Sequence, residues 1–152
     1  LPGPLSEVFR NAKRLIDRHA PALEQRALSA LIDRGVYERH VRRTRREHER
    51  RRAALLEAIA NALPAGVRVS GEAAGLHLVL WLPGFSPDDE MRLVAAARDQ
   101  GVGVYPLSPL YATARSALPA RPAGLVLGYA SLTVGQIEEG IRRLGRILTV
   151  KA

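Results

Sequence analysis

The sequence predicts an α+β fold in which N-terminal helices and one long helix precede a small, mostly antiparallel sheet of about four strands covered by helices. Apolar residues recur at helical spacing from Val36 to about Ala62, and the next proline is Pro64. Beyond Pro64 the pattern changes to short apolar or alternating runs in the order β-β-α-β-β-α. We therefore divide the chain into residues 1–35, 36–62 and 63–152.

Composition limits the class of protein. A chain of 152 residues with 47% apolar residues can bury one sizeable core, and its length does not favour two full domains. The absence of cysteine excludes disulfides and thiolate metal sites. No apolar run approaches the roughly 20 residues that span a bilayer, and the first residues do not resemble a signal peptide. We expect a soluble cytoplasmic protein with no membrane partner.

Three helices are predicted before Pro64. The first has Ser6 as its N-cap and an apolar stripe of Leu5, Val8, Phe9, Ala12, Leu15 and Ile16. The second covers Ala22 to Asp33 and is closed by Gly35. The third, Val36 to Ala62, would be roughly 40 Å long. Its apolar side should pack on residues 63–152, which we call the small domain.

The small domain is predicted to contain four strands and two helices. The strands cover 67–70, 76–82, 102–105 and 125–130, and a loop without periodicity covers 106–123. The first helix begins at Ser86 and Pro87, and the acids Asp88, Asp89 and Glu90 fit its first turn, where they complement the helix dipole. Thr133 caps the second helix, with Gln136 at the capping-box position.

The segment His40–Arg52 has seven arginines in thirteen residues, and the net charge is +8. Such a run can be a phosphate-binding surface. It can also be the solvated side of a long helix, because Glu38 with Arg42 and Glu47 with Arg51 stand in the favourable i, i+4 order. Only two of the 23 basic residues are lysines, which is also typical of a GC-rich genome.

The sequence gives only weak indications of metal binding, phosphate binding or catalysis. His40 and His48 are eight residues apart on one helix, about 12 Å by helical rise, so they cannot share one ion, and no metal site is expected. No phosphate-binding glycine loop or Gly-x-Ser-x-Gly elbow is present. His77 should lie on the sheet face opposite Leu78 and Leu80, where it is either a structural histidine or a ligand contact.

Six segments together carry a family resemblance. They resemble, in the same order, the C-terminal part of fold type I pyridoxal-phosphate aminotransferases, and most closely the aminotransferase-like effector domain of MocR-type regulators in the GntR superfamily. The segments are His19–Gln25, Glu49–Leu56, Ala74–Leu82, Gly101–Pro106, Leu125–Ala130 and Ile137–Leu144.

The resemblance implies an arrangement of domains. Residues 1–35 would be a helical remnant of the large cofactor-binding domain, residues 36–62 the connector helix, and residues 63–152 the small domain of the aminotransferase fold. DNA would be held by a separate upstream winged helix-turn-helix domain, which makes the basic run a connector surface. The parent protein would be a homodimer that binds pyridoxal phosphate or a small amino compound.

The resemblance also implies which site residues are missing. The Schiff-base lysine would precede Leu1, and neither Lys13 nor Lys151 stands in a matching context, so no cofactor is expected on this chain alone. Aminotransferases commonly carry a carboxylate-binding arginine where this chain has Val126, unless Arg121 or Arg115 substitutes for it.

By the same analogy, several residues would reach the site. Gly75, His77, Tyr105, Tyr111 and Arg121 would face the cleft or effector, and His19, Ala20 and Pro21 would reach the neighbouring subunit's site.

Three functions remain open. The first is part of the effector domain of a transcription regulator, not catalytic alone. The second is the C-terminal part of a class I/II aminotransferase. The third is a small basic domain that binds nucleic acid or another partner. A winged helix encoded upstream of Leu1 would favour the first, and salt-dependent DNA binding that is lost on changing Arg42, Arg45 and Arg46 to glutamine would favour the third.

Overall fold

A computed structural model of the chain describes residues 2–17, 21–71, 75–111 and 121–149. The chain divides into two compact units, residues 1–44 and residues 45–152. The helices are α1 (Gly3–Asp17), α2 (Ala22–Asp33), α3 (Val36–Ala62), α4 (Glu90–Asp99) and α5 (Val134–Thr149). The strands are β1 (Arg68–Ser70), β2 (His77–Leu82), β3 (Tyr105–Pro106) and β4 (Ala123–Gly128).

The first unit contains α1, α2 and the start of α3. The predicted N-cap at Ser6 is wrong, because α1 already begins at Gly3 and the Ser6 hydroxyl donates to the Gly3 carbonyl inside the helix. Gly35 closes α2 as predicted: its φ is +65°, and its N–H donates to the Ile32 carbonyl at 2.8 Å. The described residues of α1 and α2 include no buried side chain.

Helix α3 is unbroken from Val36 to Ala62, as predicted. Leu55 and Ile59 are buried in the core of the second unit, whereas Val36 and Tyr37 at the other end are exposed. The C-terminal end of the predicted apolar side therefore packs in the core of the second unit. Arg51 of the basic run donates a hydrogen bond to the Ala130 carbonyl, so this arginine has a structural role.

The sheet is wholly antiparallel, with strand order β1-β2-β4-β3, which confirms the predicted α+β fold. Leu78, Leu80 and Leu82 of β2 alternate inward and pack with β4 residues and the helices in one core. Strand β3 is shorter and later than the predicted 102–105, because only Tyr105 and Pro106 pair with β4.

The ends and faces of α5 follow the predicted pattern. The Thr133 N–H donates to the Gln136 side-chain oxygen at 2.9 Å, and the Gln136 N–H donates to the Thr133 hydroxyl at 3.3 Å, which completes a capping box. The buried residues of α5 are Ile137, Ile141, Leu144, Gly145 and Leu148. Among the described helices, none is long and apolar enough to cross a membrane.

Candidate functional site

The sheet has one face that is not covered by the helical layer of the core. Cross-strand register places His77 opposite Gly128, and Val79 and Tyr105 on either side of Val126. Residues opposite each other share a face, and in β2 the face of His77 and Val79 is the one opposite the buried leucines. Tyr105 is 68% exposed. The centre of this open face is thus apolar, with an imidazole and a phenol beside it.

A cleft of about 910 Å³ lies at one end of this face. Its lining includes His77, Tyr105 and Gly128 of the sheet, and Thr133, Glu139 and Arg143 on the side of α5. Pairing between β3 and β4 stops at Tyr105 and Val126, so the segment 101–104 is not held against the end of β4. The cleft therefore opens where the pairing between β3 and β4 ends.

His77 lies across Gly128. A Cβ atom at Gly128 would come 3.4 Å from His77 Cδ2 and 3.5 Å from Nε2, so the absence of a side chain leaves room for the imidazole. His77 is exposed, and the imidazole is therefore accessible to a ligand in the cleft. Alternation along β2 predicted its face, and the short distance to Gly128 follows from the β2–β4 register.

A second polar cluster lies around Glu90, which is 1% exposed. Its carboxylate accepts hydrogen bonds from the Ser108 N–H at 2.7 Å, the Gly124 N–H at 2.9 Å and Arg121 Nη1 at 2.8 Å. Arg121 Nη2 also donates to the Ser108 hydroxyl at 2.7 Å, and its guanidinium lies 4.8 Å from the centre of the Tyr111 ring.

Burial by itself raises the pKa of Glu90, but the hydrogen bonds from Gly124, Ser108 and Arg121 outweigh it. The pKa of Glu90 therefore lies below its ordinary value of 4.5. The sequence predicted a first-turn acid at this position, and Glu90 does lie in the first turn of α4. Complementing the helix dipole does not account for its buried hydrogen bonds, so that explanation of its role is incomplete. Glu90 also joins α4 to the segment after β3 and to the start of β4, and no local pattern indicated this role.

The structure separates the five predicted cleft residues into three groups. His77 and Tyr105 line the cleft, whereas Tyr111 and Arg121 belong to the Glu90 cluster. Gly75, with a φ of +89°, accepts a hydrogen bond from the Tyr129 hydroxyl at 2.8 Å. Gly75 therefore stabilises the turn before β2 and is not among the residues that line the cleft.

The other predicted contacts lie elsewhere. Pro21 precedes α2 in the first unit, and His19, Ala20 and Arg115 lie outside the described residues.

No lysine is among the described residues that line the cleft. Lys13 lies on α1 in an ion pair with Asp17, and Lys151 lies outside the described part of the chain. The hydrogen bond and charge of Asp17 raise the pKa of Lys13 above its ordinary value of 10.5. No cluster of three histidine, aspartate or glutamate side chains within the described ranges could hold a metal ion.

Comparison with known proteins gives two classes of relative. The chain is 33% identical over 145 residues to the HTH-type transcriptional regulator YhdI of Bacillus subtilis, and the match covers 95% of this chain and 29% of the regulator. It is 33% identical over 138 residues to a 2-aminoadipate transaminase of Thermus thermophilus, and this match covers 90% of the chain and 32% of the enzyme. The chain thus spans about 30% of the length of these relatives. No protein-family model matches it.

Solved structures have the same fold. LysN, an alpha-aminoadipate aminotransferase of Thermus thermophilus, superposes with a TM-score of 0.72 at 31% identity, over 92% of this chain and 34% of that one.

The small antiparallel sheet and its helices match the small domain of fold type I aminotransferases. The chain is thus similar both to HTH-type transcriptional regulators and to fold type I aminotransferases, as the six sequence segments indicated.

Proposed function

We propose that the chain is the C-terminal part of a pyridoxal-phosphate-binding, aminotransferase-like effector domain of a transcription regulator. The observation that carries the proposal is the similarity to an HTH-type regulator over 95% of this chain. In the intact homodimer, the effector domain would sense pyridoxal phosphate or a small amino compound and alter DNA binding by a separate domain. The intact regulator would be cytoplasmic.

The open sheet face supports a regulator more than an enzyme. An aminotransferase needs a guanidinium that binds the substrate carboxylate at two points. Val126 occupies the position where the resemblance places that arginine, and Val79 and Tyr105 lie on either side of it. Arg121 cannot easily take over, because its side chain is 11% exposed and is held by Glu90 and Ser108. Neither position 126 nor Arg121 therefore offers a free guanidinium to a substrate carboxylate.

The test uses the intact protein that contains this chain, loaded with pyridoxal phosphate. We expect an amino compound to change its affinity for DNA while amino acids are transaminated at a rate far below that of a dedicated aminotransferase. The measurements are DNA binding with and without amino compounds, and the cofactor absorbance during turnover. Multiple rapid turnovers with no effect on DNA binding would instead establish the alternative, an aminotransferase.

The 152-residue chain alone should not hold the cofactor. We expect no saturable cofactor absorbance when pyridoxal phosphate is added, because no described residue of the cleft lining is a lysine and Lys13 lies exposed on α1 in an ion pair with Asp17. Borohydride reduction followed by mass spectrometry measures any lysine adduct, and Lys13→Arg is the control for adventitious reaction. A stoichiometric, saturable adduct at one lysine of the chain would contradict this prediction.

A further inference from the structure

The exposed side of α3 carries a regular row of arginines. Arg39, Arg43, Arg46 and Arg50 follow at spacings of four, three and four residues, so they lie along one side of the helix. All four are exposed. The opposite side carries Val41, Thr44, His48, Leu55 and Ile59, which are half-buried or buried. We call the four arginines the arginine row.

In the parts of the chain that the structure describes, three of the four arginines of the row have no ion-pair partner. Glu47 pairs with Arg50 at 2.9 Å, and Glu38 pairs with Arg42, which lies beside the row. Arg39 has only a 3.5 Å hydrogen bond to the Arg34 carbonyl. Among the described residues, no carboxylate forms an ion pair with Arg39, Arg43 or Arg46. Ion pairs within the described part of the chain therefore do not explain these three arginines.

We propose that the arginine row binds the phosphate backbone of duplex DNA. The row rises roughly 16 Å along the helix, which is about five base-pair steps of 3.4 Å. Arginine presents a planar fork that binds phosphate oxygens at two points. Because contacts to phosphates carry no sequence information, such binding would be independent of sequence and would add to recognition by another domain.

The surroundings of the row favour duplex DNA over other anionic partners. A protein interface is centred on buried apolar or aromatic anchors, and a membrane-surface helix needs apolar side chains to insert. The row has neither. Single-stranded nucleic acid is bound by stacking bases on aromatic rings, but Tyr37 lies on the other side of α3. Backbone phosphates of a duplex require only the charges that the row supplies.

The experiment measures binding of the 152-residue chain to a 20-base-pair duplex by fluorescence anisotropy between 50 and 200 mM salt. Neutralising three phosphates gives log K a slope of about −2.7 against log salt, so the affinity should fall about 40-fold over this range. The variant Arg39→Gln/Arg43→Gln/Arg46→Gln should lose about 2.7 of that slope and most of the affinity at 50 mM salt.

The matched control is Arg10→Gln/Arg14→Gln/Arg26→Gln. These arginines are also exposed and lie on α1 and α2, so the control makes the same change in net charge. It should keep most of the binding. Equal losses in the two variants, absence of salt-dependent binding, or preference for single-stranded DNA or phosphatidylserine vesicles over the duplex would overturn the proposal.

The test does not depend on a cofactor. Failure of DNA binding by this chain would therefore leave the effector-domain proposal standing.

Discussion

Replacing Glu90 by alanine should destabilise the chain by about 3–5 kcal/mol, because it removes one partner of a buried ion pair. The change leaves the Arg121 guanidinium, 11% exposed at its side chain, without its carboxylate. It also removes the acceptor for the backbone N–H groups of Ser108 and Gly124. A buried donor without an acceptor costs about 1–3 kcal/mol. Urea denaturation followed by circular dichroism measures the loss.

Glu138→Ala is the control, since Glu138 is an exposed glutamate on α5 and its removal should change the free energy of unfolding by less than about 0.5 kcal/mol. Glu90→Gln should lie between the two, because an amide keeps one acceptor but loses the charge. If Glu90→Ala lost less than about 1 kcal/mol, the carboxylate would not be the anchor that its contacts indicate.

Lowering the pH should remove the stabilisation that the ionised Glu90 carboxylate provides. The pKa of Glu90 is lower in the folded chain than its ordinary value of 4.5, so the folded state favours the ionised carboxylate. Its contribution is then fully present above pH 4.5 and is lost as the pH falls through the lower, folded-state pKa. The difference in unfolding free energy between the wild type and Glu90→Gln should therefore shrink as the pH is lowered through this range.

Glu90 shows where prediction from the sequence stops. An acid in the first turn of a helix is explained locally by the helix dipole, so the sequence gives no reason to look further. Its real partners are 18 to 34 residues away, in the segment after β3 and at the start of β4. Those contacts depend on how two strands and a loop meet, and a pattern within one element does not contain that information.

Long helices were predictable because their pattern lies within a single element. The unbroken α3 and the buried stripe of α5 follow from spacing alone, because helices repeat every 3.6 residues over many turns. Strand β3 has two paired residues, too few for any alternation to mark its ends. The family resemblance placed His77 and Tyr105 at the cleft, but nothing in the sequence placed α5 beside them, because the cleft opens where the β3–β4 pairing ends.

Replacing Gly145 by alanine should destabilise the second unit by at least about 2 kcal/mol. A Cβ atom there would lie 2.3 Å from the Ala62 carbonyl oxygen, which is a backbone atom at the end of α3. Because neither helix backbone can rotate away as a side chain can, α5 would have to shift from α3. Overpacking of this kind typically costs about 1–3 kcal/mol, and occasionally more. Thermal and urea unfolding measure the loss.

Gly140→Ala is the matched control in the same helix. A Cβ atom at Gly140 would meet nothing within 4 Å, so the only expected effect is the better helix propensity of alanine, a gain of up to about 1 kcal/mol. The two substitutions should thus have opposite signs although the chemical change is identical. If Gly145→Ala were also stabilising, α5 would not approach the end of α3 so closely, and the packing of these two helices would need to be revised.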